Sequence, residues 1–228
     1  AGRNISVTHT ALSSTRVMAT CAVIGQAVGT AVSIAVRDKA TPRQVYENSI
    51  RELQNTLMDD DCYLPFHTRK CSVLAKKADL WASCGDPAPV LNGCDRVIGN
   101  SLNAWQATIG SSIGFDFDAP VPVKQVRLVF DSDLQRVTCG GNPTLRLYPT
   151  ICNRSLNMPP FNFPKTMVKD FLIEYKGMDG QWKTLKEVTG NYQRLLKINT
   201  DVMALGVKMT VKGTWGNDKV LVFSFDVL

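Results

Sequence analysis

The residues able to do acid–base or nucleophilic chemistry are few and scattered in this chain. Its two histidines, His9 and His67, lack the neighbouring Ser/Asp or Cys/Asp patterns of a nucleophile and its base. The run Asp59-Asp60-Asp61 reads as a solvated helix end rather than a metal cluster, and paired-carboxylate catalysis needs a separation that isolated acids do not define. Seven cysteines (21, 62, 71, 84, 94, 139 and 152) include no Cys-x-x-Cys pair, so zinc and dithiol readings lose their spacing signal. Cys21 reads as a small buried side chain. The other six leave paired and free states both open. No catalytic residue and no metal ligand is assigned.

Binding chemistry is better represented. Trp215, in Gly213-Thr-Trp-Gly-Asn-Asp218, is a loop aromatic able to stack on the apolar face of a sugar. Arg96, Asn100, Asn103 and Asn217 offer directional hydrogen bonds from loops of the same region. If the loops Arg96–Asn103 and Gly213–Asp218 meet at one end of their domain, they form a ligand site. Trp105 and Trp182 fall in strand patterns and are expected in the core.

The elements that must position these groups form three zones. In residues 1–66 a short strand precedes a long uncharged helix, Val17–Val36, with Ser13 or Ser14 as its cap. Its length would span a bilayer, and Gly25-x-x-x-Gly29 is a small-residue packing motif. The Ala, Thr and Ser content, Gln26 and the flanking Arg16 and Arg37 favour instead a helix buried in a protein core, or paired with its copy in a homo-oligomer. Thr41-Pro-Arg-Gln44 is a capping box opening a second helix, with Tyr46, Ile50, Leu53 and Leu57 as one apolar stripe. Residues 67–78 read as a basic connector.

From residue 79 the period becomes two. Val126, Leu128 and Phe130 share a face, as do Phe171, Ile173 and Tyr175, and Val207, Met209 and Val211. Leu221, Phe223, Phe225 and Val227 are expected on one face of the last strand, and Asp179-Gly180 at a hairpin turn. Many short strands of this kind predict an antiparallel β-sandwich of jelly-roll type. Charge agrees with ordinary surface: 26 basic and 20 acidic residues are interleaved, which excludes a concentrated nucleic-acid face.

Two resemblances follow from motifs. Ala1-Gly2-Arg3-Asn4-Ile5-Ser6, Ser14-Thr15-Arg16-Val17-Met18 and Gly25-Gln-Ala-Val-Gly29-Thr30, continuing to Cys62-Tyr-Leu-Pro65, resemble the C-terminal flavin-binding signature of bacterial FAD-dependent oxidoreductases. The resemblance implies that Gly2, Arg3, Ser14, Thr15, Arg16 and Val17 contact FAD in an intact Rossmann-type parent, in keeping with the positive end of a helix. The Gly-x-Gly-x-x-Gly unit that cradles the pyrophosphate is missing from these residues, and Gly110-Ser-Ser-Ile-Gly114 is no substitute. FAD is therefore expected in the parent and not in this chain alone.

Residues 79–228 resemble the galactose-binding-like, discoidin-type β-sandwich. The likeness rests on Val90-Leu-Asn-Gly93, Asn103-Ala-Trp105-Gln106, Ile113-Gly-Phe-Asp-Phe117, Phe171-Leu-Ile-Glu-Tyr175 and the strand Val220–Val227. Such sandwiches often hold calcium. Here Ser224 stands where the family usually has an acid, which weakens that reading although Asn92 and Asp95 supply oxygens.

The expected object is thus a flavin-domain tail followed by an accessory sandwich that binds a glycan or packs on the missing flavin domain. The alternative is a stand-alone carbohydrate-binding or interaction module with no flavin chemistry. Neither nucleic acid nor membrane is an expected partner, and a periplasmic or extracellular setting is suspected for the parent.

Overall fold

The computed structural model describes residues 1–134 and 163–228, so Cys139 and Cys152 lie outside the described residues. The chain divides into two compact units, Ala1–Lys70 and Cys71–Leu228.

The first unit is helical, with α1 (Leu12–Thr15), α2 (Met18–Asp38), α3 (Pro42–Asn48) and α4 (Ile50–Asp59). The expected opening strand does not form; Gly2–Asn4 make one 3-10 turn and the chain then runs extended. A lone strand has no neighbour to take its ladder hydrogen bonds. The expected cap of the long helix is also corrected. The hydroxyls of Ser14 and Thr15 bond back to the carbonyl of Ala11, closing α1 as a separate turn. The backbone then breaks at Arg16, and α2 starts after Val17, which offers no side-chain cap.

The Thr41 capping box is present: Thr41 Oγ1 accepts from the Gln44 amide, and Gln44 Oε1 accepts from the Thr41 amide. The apolar stripe is shifted from its expected phase, because Ser49 interrupts the helical path between α3 and α4. Val45, Leu57 and Met58 are buried, while Tyr46 is 62% exposed.

Burial of α2 in a core is the larger departure. It is long and apolar enough to cross a membrane by length and composition, yet Ile34 is its one buried residue. Met18 and Val36 are 91% and 74% exposed, and Gly25 and Gly29 face open space. The short α3 and α4 offer too little apolar surface to cover a helix of 21 residues. At its far end Arg37 grips Glu52 of α4 through two hydrogen bonds, at 2.5 and 3.0 Å, and also holds Asp38.

The second unit opens with α5 (Val73–Lys77), followed, among the described residues, by seven strands: β1 (Asp79–Ala82), β2 (Trp105–Thr108), β3 (Ser112–Phe130), β4 (Val168–Lys176), β5 (Trp182–Val188), β6 (Leu195–Thr214) and β7 (Lys219–Val227). All pairings are antiparallel. The long strands β3 and β6 lose register between Asp116 and Val121, and this break makes the sandwich. Before it, β3 pairs with β1, and the later half of β6 pairs with β4, which pairs with β5. Beyond it, β3 pairs with β7, which pairs with β2. The two layers meet through aromatic rings. Phe115 reaches Phe225 at 4.9 Å between centroids, and Phe130 reaches Phe171 at 5.1 Å. The expected inward sets on β3 and β6 are fully buried, together with Trp105, whose indole N–H donates to the carbonyl of Cys84.

The last strand departs from simple alternation. Val129 faces Ser224 while Phe130 faces Val222, so Phe223 is the extra residue of a β-bulge. Val222, Phe225 and Val227 therefore join the main core, whereas Leu221 and Phe223 pack with Val129 and Ala104 in a second cluster. Trp182 is half-buried rather than a core residue.

The ion pair of the first unit sets a pH dependence. Hydrogen bonding from Arg37 holds the carboxyls of Asp38 and Glu52 below their ordinary values of 3.8 and 4.5, and raises Arg37. A lowered carboxyl contributes stability above its ordinary pKa and loses it as pH falls through the folded value. Helix stability should decline below about pH 4.5, more weakly in high salt because the pair is exposed. Circular dichroism melts of the native chain and Glu52→Gln check this; the substituted protein should show a shallower acid slope.

Candidate functional site

Two groups of residues offer binding chemistry, one in each unit. In the first unit Arg3, Leu12, Ser13, Arg16 and Met18 line an open hollow of about 460 Å³. Gly2 sits at φ 59° with open space where a Cβ would stand. Two guanidinium groups and the amides at the start of α2, which lack a side-chain cap, make this corner positive. Arg3, Ser14, Arg16 and Val17 are exposed, while Gly2 and Thr15 are half-buried. The Ser14 and Thr15 hydroxyl protons are committed to Ala11, leaving their oxygens as acceptors.

In the sandwich, the loop before β2 is held by a buried cation. Arg127 of β3 has no exposed side-chain surface; its Nη2 stands 2.8 Å from Asp95 Oδ2, and its Nη1 donates to Ser224 Oγ at 3.1 Å. Arg194 donates to the carbonyls of Asp95 and Phe130 and lies over the Phe223 ring. Val97 and Leu102 of the same loop pack on the cluster around Phe223. The two sequence candidates for cation-binding oxygens are thus engaged by protein donors: Asp95 by Arg127, and Asn92 Oδ1 by the Cys94 amide. Among the described residues no group of three or more His, Cys, Asp or Glu converges as a metal site. Desolvation, with the Asp95 charge, raises the Cys94 thiol pKa.

Within this loop Asn103 adopts φ 54°, its amide nitrogen donating to the carbonyls of Arg96 and Ser101. Its Oδ1 accepts from Asn92. Asn100 is exposed in the tight turn closed by Ile98 and Ser101, and Arg96 is half-buried. Trp215 and Asn217 lie in the separate β6–β7 loop. The Asn217 amide donates to Thr214 Oγ1, and its side chain donates to the Lys219 carbonyl, so Asn217 closes its own turn.

Trp215 is half-buried, and its neighbours were not singled out from sequence. Its indole N–H donates to the Asn191 carbonyl at 2.6 Å. Its ring lies 4.4 Å from that of Phe163, which in turn lies 6.3 Å from Tyr192. Lys169 Nζ stands 5.1 Å from the indole centre. Phe163 and Tyr192 are 46% and 66% exposed, so the cluster has an anchored indole and two open rings. The available signal for Tyr192 was its place in Gly190-Asn191-Tyr192, a polar turn between two strand patterns.

The family model described as FAD dependent oxidoreductase matches residues 1–57. The match covers a quarter of the chain, and residues 1–57 are similar to a segment of that family. The matched segment includes every residue of the positive corner around Arg3 and Arg16. The corner suits one side of an anionic cofactor, but the segment has no glycine-rich pyrophosphate cradle. No curated protein matches the chain.

Among solved structures, the chain is similar to the family 32 carbohydrate-binding module of Streptococcus pneumoniae EndoD, with 16% identity, TM-score 0.47, and coverage of 69% of this chain and 99% of that one. It is also similar to a Streptococcus pneumoniae fucose-binding module, with 12% identity, TM-score 0.46, and coverage of 69% and 95%. A third is the family 32 module of Clostridium perfringens NanJ, solved with galactose, with 9% identity, TM-score 0.45, and coverage of 69% and 97%.

Removing one partner of a buried ion pair leaves an uncompensated charge, so Asp95→Ala should destabilise the sandwich by about 3–5 kcal/mol. Urea unfolding measures the loss, and limited proteolysis should show cleavage within Arg96–Asn103. Trp215→Ala removes a half-buried indole and its hydrogen bond. Its cost should be about 2–3 kcal/mol, below that of a fully buried tryptophan.

Proposed function

We propose that this chain joins the tail of a flavin-binding domain to an accessory β-sandwich that binds carbohydrate. The observation that carries the glycan reading is the ring cluster of Trp215, Phe163 and Tyr192, exposed beside Lys169 and the Asn191 turn. Aromatic faces take up the apolar face of a sugar ring, while neighbouring amides and ammonium groups bond its hydroxyls. Tyr192 and Phe163 are the stacking residues, and Trp215 is the anchor that orients them. Asn100 and Arg96 belong to the other loop and extend the site only for a ligand longer than one sugar. In the intact flavoprotein, Gly2, Arg3, Ser14, Thr15, Arg16 and Val17 face FAD. There the cofactor supplies the redox chemistry, while Arg3, Arg16 and the start of α2 hold negative charge.

One observation favours the second reading, in which the sandwich packs on the flavin domain instead. Trp215 is already occupied by protein partners on its N–H and against Phe163, as expected of a structural residue.

Glycan-array binding followed by titration of the best ligand separates the two. Tyr192→Ala should weaken binding at least about fivefold with little change in thermal unfolding, as expected for loss of an exposed stacking ring. Unchanged binding in Tyr192→Ala, or no ligand above background, would leave the packing role in its place. FAD titrated into the chain alone should give no saturable change in flavin fluorescence, because the pyrophosphate has no cradle in these residues.

A further inference from the structure

The outward face of the layer formed by β1, β3, β6, β4 and β5 carries a feature that the loop cluster does not use. Two adjacent cross-strand rows lie on it. One runs Trp81, Gly114, Lys208, Glu174, and the next runs Trp182, Lys176, Gly206, Asp116. A tryptophan therefore stands at opposite ends of neighbouring rows; Gly114 clears the space that the Trp81 indole needs, and the Trp182 indole reaches as far as Gly206. A Cβ at Gly114 would stand 2.5 Å from Trp81 Cζ2, and one at Gly206 would stand 3.4 Å from Trp182 Cη2. Each indole thus lies along the sheet from an edge strand towards the centre, one over β3 and the other over β6. Strand and residue spacings place the two about 8 Å apart on the diagonal.

Lys208 lies between them, its Nζ 4.4 Å from the Trp182 ring centre and 3.0 Å from Glu174. Every cation of this central patch has an acidic neighbour: Lys208 with Glu174, Lys176 with Asp116 at 3.8 Å, and Lys212 with Glu187 at 2.6 Å. The indole nitrogen of Trp81 is a buried donor with no hydrogen-bond partner. Paired charges favour a partner that is neutral and rich in hydroxyls, since a polyanion would meet each carboxylate. The absence of large exposed aliphatic side chains among these two rows argues against a protein surface.

The geometry points to a second glycan site on this sheet face, with Trp81 and Trp182 as two stacking surfaces for a neutral polysaccharide chain of at least two sugar units. Lys208, Glu174 and Asp116 supply hydrogen bonds between the rings. The site is separate from the Trp215 cluster, so each survives loss of the other.

Affinity electrophoresis of the full chain through gels containing galactomannan, xyloglucan or alginate tests it, with Tyr192→Ala, Trp182→Ala and Trp182→Phe run alongside. The expected result is retardation of native protein and Tyr192→Ala by a neutral polysaccharide. Trp182→Ala should lose about five- to tenfold in affinity, as for one lost stacking ring, and Trp182→Phe should fall between. If Trp182→Ala unfolds, Trp182→Phe carries the test, supported by reduced acrylamide quenching of tryptophan fluorescence when galactomannan is present. Retardation by alginate alone, equal retardation of native protein and both Trp182 substitutions, loss of all retardation in Tyr192→Ala, or no retardation in any gel would overturn the proposal. So would a dimer in sedimentation that Trp182→Ala dissociates.

Discussion

A fully buried guanidinium is the constraint around which the sandwich is arranged. Arg127 lies on the face of β3 away from the core, where a charge would ordinarily meet water. Desolvating it is tolerable only with an opposite charge and good hydrogen bonds, and Asp95 and Ser224 supply both. Meeting that requirement pins the Asp95 loop over the strand, and the loop brings Val97 and Leu102 onto Phe223. It explains why β7 is buried on both sides, and why Asp226 is buried there, accepting from the amides of Ser72 and Val227. Ser72 in turn caps α5 and donates to the Val227 carbonyl. One charge thus organises a strand, a loop and a short helix.

The architecture was legible because burial on a sheet imposes period two, and β3, β4 and β6 keep it. It failed in β7 for a local reason. The bulge at Phe223 changes face without changing residue type, and Leu, Phe and Val read alike on either side of it. The break in β3 and β6 was not legible either, although Pro120 and Pro122 stand where β3 loses its ladder register. In the helical unit the capping box was readable because it is a short-range device. The phase of the next stripe was not, since it turned on one nonhelical residue, Ser49.

Sites were less legible than strands, because a site is a meeting of distant residues. Trp215 was singled out as a loop aromatic, but its companions Phe163 and Tyr192 lie far away in sequence and reach it only through the start of β4 and the Asn191 turn. Of the two outward indoles, Trp182 was expected in the core because a tryptophan in a strand pattern is usually inward, and Trp81 was not singled out. For Trp81 the signal is Gly114, at an outward position on the paired strand, which sequence alone does not align with it. In residues 1–57, motif order carried the family likeness more readily than it did the helix boundary, which fell four residues beyond Ser14.

The register break in β3 and β6 also has a mechanical meaning. Two separate sheets pressed together can slide, because apolar contact resists separation more than shear. Here the same two backbones run through both layers, so sliding one layer must stretch covalent chain and break ladder hydrogen bonds. A load applied at the Asn191 turn enters β6 at Leu195 in one layer and emerges near Gly206 in the other. The unit should therefore yield to tension in one cooperative event.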